Sequence, residues 1–214
     1  MQFADDASGR RYASIVTPKV QAVVRNQFDC ATLNGAPLEN QPTRSESCAG
    51  DHWDERLFYP EALSGVISPT TNILSSLTLA LMEDSGWYKA NYTNSRMSPW
   101  GLGAGCAFVD GHCLTTNQAG DTVVPDYGRG FFCNMDGQKG CSSEHTHKLS
   151  CVFVDYALYE DQDNVPSEPY IYFADKPLLG GPRQADFCPV FVSEAMLKRR
   201  VITNSWSRVT LTTT

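Results

Sequence analysis

Eight cysteines, at positions 30, 48, 106, 113, 133, 141, 151 and 188, constrain this chain more than any other feature. None stands in a C-x-x-C pair, so zinc-ribbon and thioredoxin spacings are missing and disulfides are the expected use. A chain stapled in this way needs an oxidising compartment, because cytosolic thiols are held reduced. The sequon Asn91-Tyr-Thr93 agrees with export. Sequence alone does not choose among the many possible cysteine pairings.

The first residues, "MQFADDASGRRYAS", are acidic where a secretion signal needs a basic start and an apolar stretch. No segment approaches the roughly 20 apolar residues of a membrane span. A disulfide-rich chain without an address is expected to be an interior piece of a longer secreted protein, with Met1 an internal or misassigned start. At 214 residues and 42% hydrophobic content, it can bury a core as one large domain or two small ones. Acidic residues outnumber basic ones by 24 to 17, for a net charge of −7, and the longest basic run is "KRR" at 198–200. Nucleic acid is therefore not an expected partner, because its phosphates would be repelled.

Two helices are expected. In "TPKVQAVVRNQF", Thr17 is placed to cap, Pro18 suits the first turn, and Val20, Val23, Val24 and Phe28 recur at helical spacing. In "NILSSLTLALMEDSG", Asn72 is the candidate cap, Leu74, Leu77 and Leu81 form a stripe, and Gly86 is the stop. Its broad apolar surface predicts a helix over 73–85 running through the core beneath the His52 segment. Residues 30–50 read as an extended loop. Beyond about residue 106, the short apolar runs "CAFV", "GFFC", "SCVFVDYALY", "YIYFA" and "FCPVFVS" read as strands. Helices and strands are thus segregated, which predicts an α+β fold.

Several chemistries are excluded by inspection. There is no G-x-S-x-G elbow or phosphate-binding P-loop, and "GLGAGC" at 101–106 misses the dinucleotide fingerprint because its third glycine falls one position early. That stretch reads as a tight turn before a disulfide. "CSSEHTHKLSC" at 141–151 offers Cys141, His145, His147 and Cys151 to zinc, but an H-x-H pair directs its rings apart, and an exposed polar loop is the better reading. His112 reads as a turn residue. His52, in "AGDHWDERLFYPEALSGV", is the remaining histidine, and alone it is a poor candidate ligand because zinc needs three or four donors.

The run "HWDERLFYPEALSGVIS", followed by "LTLALMEDSGWYKANYT" and "SPWGLGAGCAFVDGHC", closely resembles the leishmanolysin family of zinc endopeptidases. The likeness extends more loosely from about Ile15 to "ADFCPVFV". The resemblance implies a metzincin-type site in which two zinc histidines and the general-base glutamate come from an H-E-x-x-H helix and a third histidine follows much later. His52 matches that third ligand. No H-E-x-x-H occurs in this chain. The position of the family's Met-turn, eleven residues after the third histidine, is held by Leu63. Leucine is close to methionine in volume and polarity, so the apolar floor costs little to keep.

The resemblance also implies disulfides Cys30 with Cys106, Cys113 with Cys188 and Cys133 with Cys151. Cys141 would pair beyond residue 214, and Cys48 is an addition to the pattern. The expected organisation is the lower half of a metzincin-like catalytic domain over 1–112, then a β-rich disulfide-bonded module over 113–214, incomplete at its end. Expected substrates are proteins or peptides, and the expected setting is extracellular or at the cell surface. Membrane association would come only through segments outside this chain. The rival expectation is a non-catalytic surface adhesion or binding protein that keeps the peptidase scaffold.

Overall fold

The computed structural model describes residues 1–6, 9–41, 50–65, 72–159 and 165–193. Cys48 and the final segment from 194 onward lie outside the described residues.

The chain opens with β1 (Gln2–Asp5) and β2 (Arg11–Ile15), antiparallel, and β2 then pairs with the short β3 (Ala36–Pro37). Between β2 and β3 lies α1 (Pro18–Phe28), which buries Val20, Val24 and Phe28 as its periodicity predicts. The expected cap at Thr17 is not made. Instead, the Asp84 carboxylate accepts from the backbone N–H groups of Lys19 (2.9 Å) and Val20 (3.2 Å). A negative charge there also suits the positive end of the helix dipole. Asp84 can reach because it closes α3 (Ser76–Asp84), and α1 packs against α3.

α3 begins later than expected. Ser75, not Asn72, accepts from the N–H of Leu77. Ile73 is held extended by two backbone bonds, its N–H to the Pro60 carbonyl (2.7 Å) and its carbonyl to the Ala62 N–H (2.8 Å), so the helix cannot start before them. The buried face is Leu77, Thr78 and Ala80, while Leu74 is exposed ahead of the helix. Gly86 ends it as expected, with φ +77 and its N–H on the Glu83 carbonyl. The helix does pass beneath the His52 segment, since the indole N–H of buried Trp53 donates to Thr78 Oγ1 at 3.0 Å.

Three of the five expected strands are not strands. "CAFV" forms the short helix α4 (Cys106–Asp110), following α2 (Glu55–Phe58) in chain order. An apolar run of four carries no period to separate helix from strand. The preceding glycines decide, with Gly101, Gly103 and Gly105 all at positive φ. A Cβ on Gly101 would stand 2.6 Å from the Phe108 ring, so this turn also needs the missing side chain. "YIYFA" forms no ladder among the described residues. Its Tyr170, Tyr172 and Phe173 are buried, and the phenols are spent on Asn40 Nδ2 (3.1 Å, Tyr170 accepting) and the Asp186 carbonyl (3.1 Å, Tyr172 donating). "GFFC" contributes only isolated bridges of Phe132 with Arg129 and Val190.

The runs "SCVFVDYALY" and "FCPVFVS" pair as expected, and further short strands form outside the five runs. β4 (Thr115–Thr116) and β5 (Thr122–Val123) make a small hairpin. β6 (Lys139–Cys141), β7 (Lys148–Val152) and β10 (Val190–Val192) form an antiparallel sheet in the order β10-β7-β6, and β8 (Val154–Asp155) pairs with β9 (Leu179–Gly180). The fold is thus mixed: the α-helices and the three-stranded β1-β2-β3 sheet lie before residue 111, and the other three-stranded sheet lies after it. The disulfides Cys30–Cys106, Cys113–Cys188 and Cys133–Cys151 are all formed. Cys141 is exposed and free. The apolar core runs from Val20, Val24 and Phe28 through Phe108 and Phe132 to Phe187 and Val190.

Candidate metal centre

His52 is placed by backbone pairing on both sides. The Glu39 N–H donates to the His52 carbonyl (2.9 Å) and the Asp54 N–H to the Pro37 carbonyl (3.2 Å), while the Trp53 N–H donates to the Leu63 carbonyl (2.9 Å). The segment is therefore the middle of three extended stretches. Successive side chains in such a segment point to opposite faces. Trp53 enters the core, and His52 stands on the other side with a quarter of its side chain exposed.

The imidazole has a defined surround. Nδ1 lies 3.2 Å from the Trp53 carbonyl oxygen and 3.9 Å from Glu39 Oε2, and Nε2 lies 3.5 Å from Asp51 Oδ1. A carbonyl only accepts, so the Trp53 contact is a hydrogen bond in the neutral tautomer that carries its proton on Nδ1 and keeps the Nε2 lone pair. That is the tautomer in which a metal-binding histidine is commonly fixed by an acceptor behind it. Gly65 faces the ring: a Cβ there would stand 2.5 Å from His52 Cε1 and 3.0 Å from Nε2. Gly65→Ala is therefore expected to displace the ring while leaving stability nearly unchanged, since the clashing atoms end a mobile side chain. NMR resonances of the His52 ring should shift, and an unmoved ring would refute the packing described.

Leu63 lends its carbonyl to Trp53, but its side chain is 43% exposed. Trp87 is 85% exposed, and Trp53 is the tryptophan buried behind the histidine segment. A Trp following a helix-stopping glycine has no helical face to direct it inward. His112 is half-buried after α4, its ring edge-on to Tyr172. Ser142 Oγ accepts from the N–H groups of Thr146 and His147, folding 142–147 into a polar turn in which His145 is exposed. Among the described residues, no three His, Cys, Asp or Glu side chains converge as a metal site.

Behind His52 lies a buried charged cluster that sequence reasoning missed. Asp54, Glu55 and Arg56 are all buried, although charged triplets usually mark a solvated surface. Asp54 caps α2 by accepting from the Leu57 N–H at 3.0 Å. The Arg56 guanidinium donates to Asp186 Oδ2 (3.1 Å), the Phe108 carbonyl (3.0 Å) and the Val109 carbonyl (2.7 Å). Arg10 stands beside them, bonded to Asp6 and 3.8 Å from Asp186. Glu61 accepts from Thr78 Oγ1 (2.7 Å) and the Ser75 N–H (3.3 Å), fixing the start of α3.

Burial, reinforced by the nearby Asp54 charge, raises Glu39 far above the usual carboxylate range. Burial and the charge of Asp186 likewise raise Asp54, against the pull of Arg56. Groups with raised folded pKa values hold protons that the unfolded chain has already lost. Their stabilisation is complete below about pH 4 and declines as pH rises through neutrality. The denaturation midpoint should therefore be lower at about pH 8 than at about pH 5, and Glu39→Gln should flatten that slope. A midpoint rising across this range would contradict the cluster's protonation.

The comparisons with known proteins agree on one family. A family model for leishmanolysin matches residues 3–199. The chain belongs to the leishmanolysin family. It is 36% identical over 186 residues to a leishmanolysin-like peptidase of Drosophila pseudoobscura pseudoobscura, covering 82% of this chain and 26% of that protein. Identity to a leishmanolysin-like peptidase of Caenorhabditis elegans is 40% over 196 residues, covering 82% of this chain and 27% of that one. A leishmanolysin homolog of Crithidia fasciculata is 30% identical over 180 residues, with 83% and 25% covered. The chain spans about a quarter of the length of these leishmanolysin relatives. Among the described residues, no helix is long and apolar enough to cross a membrane.

Proposed function

We propose that this chain is the C-terminal part of a leishmanolysin-type zinc metalloendopeptidase, with His52 as the third zinc ligand. The supporting observation is the His52 ring itself, partly exposed, with Nδ1 3.2 Å from the Trp53 carbonyl oxygen, a contact that suits the tautomer with a free Nε2 lone pair. Residues 1–112 would then be the lower half of a metzincin-like catalytic domain and 113–214 a β-rich disulfide module. A zinc ion held by three neutral imidazoles lowers the pKa of a bound water for attack on a peptide carbonyl. This chain's part is to fix one imidazole: Trp53 anchors the strand, Gly65 leaves the ring its space, and the α3 helix supports Trp53 from below. Leu63 is the residue at the cleft floor. The three disulfides support a working setting outside the cytosol, at a surface or in a secreted form.

The test is zinc stoichiometry. One imidazole cannot retain a catalytic zinc, so the 214-residue chain alone should hold no stoichiometric tight zinc and hydrolyse no peptide. A longer form that carries H-E-x-x-H upstream should hold one zinc per chain. A longer form without that motif, folded and free of zinc, would favour the adhesion or binding role instead.

A further inference from the structure

The three disulfides are not equally protected. Cys113, Cys133 and Cys188 are fully buried and Cys151 nearly so, whereas Cys106 is partly exposed, next to the exposed Ala107. Cys30–Cys106 is thus the bond that a reagent in solution can reach. The hydroxyl of the exposed Thr32 lies 3.6 Å from Cys30 Sγ and 3.5 Å from Cys106 Sγ. A disulfide sulfur carries no proton, so the hydroxyl is the donor in both contacts. The bond joins the residue after the C-cap of α1 to the first residue of α4. With five residues, α4 is too short to be held by its own backbone bonds. Its Phe108 and Val109 carbonyls hold the Arg56 guanidinium, and Arg56 lies in α2, directly after the extended segment of His52.

We propose that Cys30–Cys106 is a redox-sensitive fastening, opened by a soluble dithiol ahead of the other two bonds, and that its opening loosens α4 and, through Arg56, the segment that carries His52. A thiolate of the dithiol attacks Cys106 Sγ, the reachable sulfur. A mixed disulfide forms as the Cys30–Cys106 bond breaks, and the bonding electrons leave on Cys30 Sγ. The second thiol of the reagent then displaces Cys106 Sγ, so the protein gains two electrons and two protons and the reagent departs as its own disulfide. The Thr32 hydroxyl donates to the leaving thiolate, and a donor there lowers the cost of its departure. Two backbone bonds do not depend on the disulfide, from the Gly103 N–H to the Gln27 carbonyl (2.8 Å) and from the Gly105 N–H to the Phe28 carbonyl (2.7 Å). The buried Cys113–Cys188 bond also still pins the chain beyond α4, so the change is a local loosening. Its consequence for zinc rests on the proposed role of His52; the order of opening does not.

The experiment alkylates the free thiols of the folded chain, titrates it with dithiothreitol under native conditions, and maps each newly released thiol by a second alkylation and mass spectrometry. Cys30 and Cys106 are expected to be released at lower dithiol than Cys113, Cys188, Cys133 and Cys151. Backbone amides over 52–58 and 106–111 should then exchange faster with deuterium. Thr32→Val should open several-fold more slowly and Thr32→Ser at the original rate. Opening of either buried bond first or together with Cys30–Cys106, unchanged exchange over 52–58 and 106–111 in the opened form, or an unchanged rate in Thr32→Val overturns the proposal. In a longer form that carries H-E-x-x-H, opening the bond, alkylating it and removing the dithiol should speed the loss of zinc to a chelator; loss at the oxidised rate overturns the link to His52. A longer form that holds no zinc even when oxidised refutes the peptidase reading instead, and the order of opening on the shorter chain still decides the redox proposal.

Discussion

Replacing Arg56 by alanine is expected to destabilise the chain by about 3–5 kcal/mol, the cost of removing one partner from a buried, hydrogen-bonded charge pair. The guanidinium is buried and ties α2 to two other segments: Asp186 ahead of β10, and the Phe108 and Val109 carbonyls of α4. Without it, Asp186 keeps its charge with Arg10 at 3.8 Å and the Gln41 amide at 3.4 Å, and two carbonyls lose a donor. Arg56→Lys should recover little, since an ammonium cannot present the planar fork that reaches all three acceptors. Denaturant titration under oxidising conditions measures the loss. Should Arg56→Ala prove too unstable to isolate, Asp186→Asn gives a smaller loss on the same contact. A change below about 1 kcal/mol in both would show that the cluster is not the fastening described.

Substituting His52 by alanine in a longer form that carries H-E-x-x-H is expected to release the zinc and to lower kcat/KM by more than 100-fold, about the upper limit for losing a group that only supports a ligand. The chain's own stability should change little, because the ring is partly exposed and makes one hydrogen bond. That separation is the diagnostic: metal and activity fall together while the denaturation midpoint stays. Full zinc occupancy in His52→Ala would remove His52 from the ligand set.

How much of this was legible in the sequence varied with the range of the forces involved. α1 was readable because Pro18 and the spacing of Val20, Val24 and Phe28 are local signals, yet its cap was not, because Asp84 lies more than sixty residues away. α3 lost its first turn to backbone bonds between Ile73 and residues 60 and 62, which no propensity registers. "CAFV", "GFFC" and "YIYFA" were misread as strands because short apolar runs report burial rather than backbone shape. The charged cluster was invisible for the same reason in reverse: "DER" looks like surface until Asp186 and the α4 carbonyls meet it.

The sequence by itself determined the family, the oxidised use of most cysteines and the histidine to examine, because these depend on residue identity and local order. The resemblance carried the three pairings, Cys30–Cys106, Cys113–Cys188 and Cys133–Cys151, that the structure makes. Only the tertiary structure decided which tryptophan packs, where the charges go, which carboxylate caps α1 and which way the His52 ring is held. Each of those outcomes is a contact between distant segments, and its free energy exists only once the chain has brought them together.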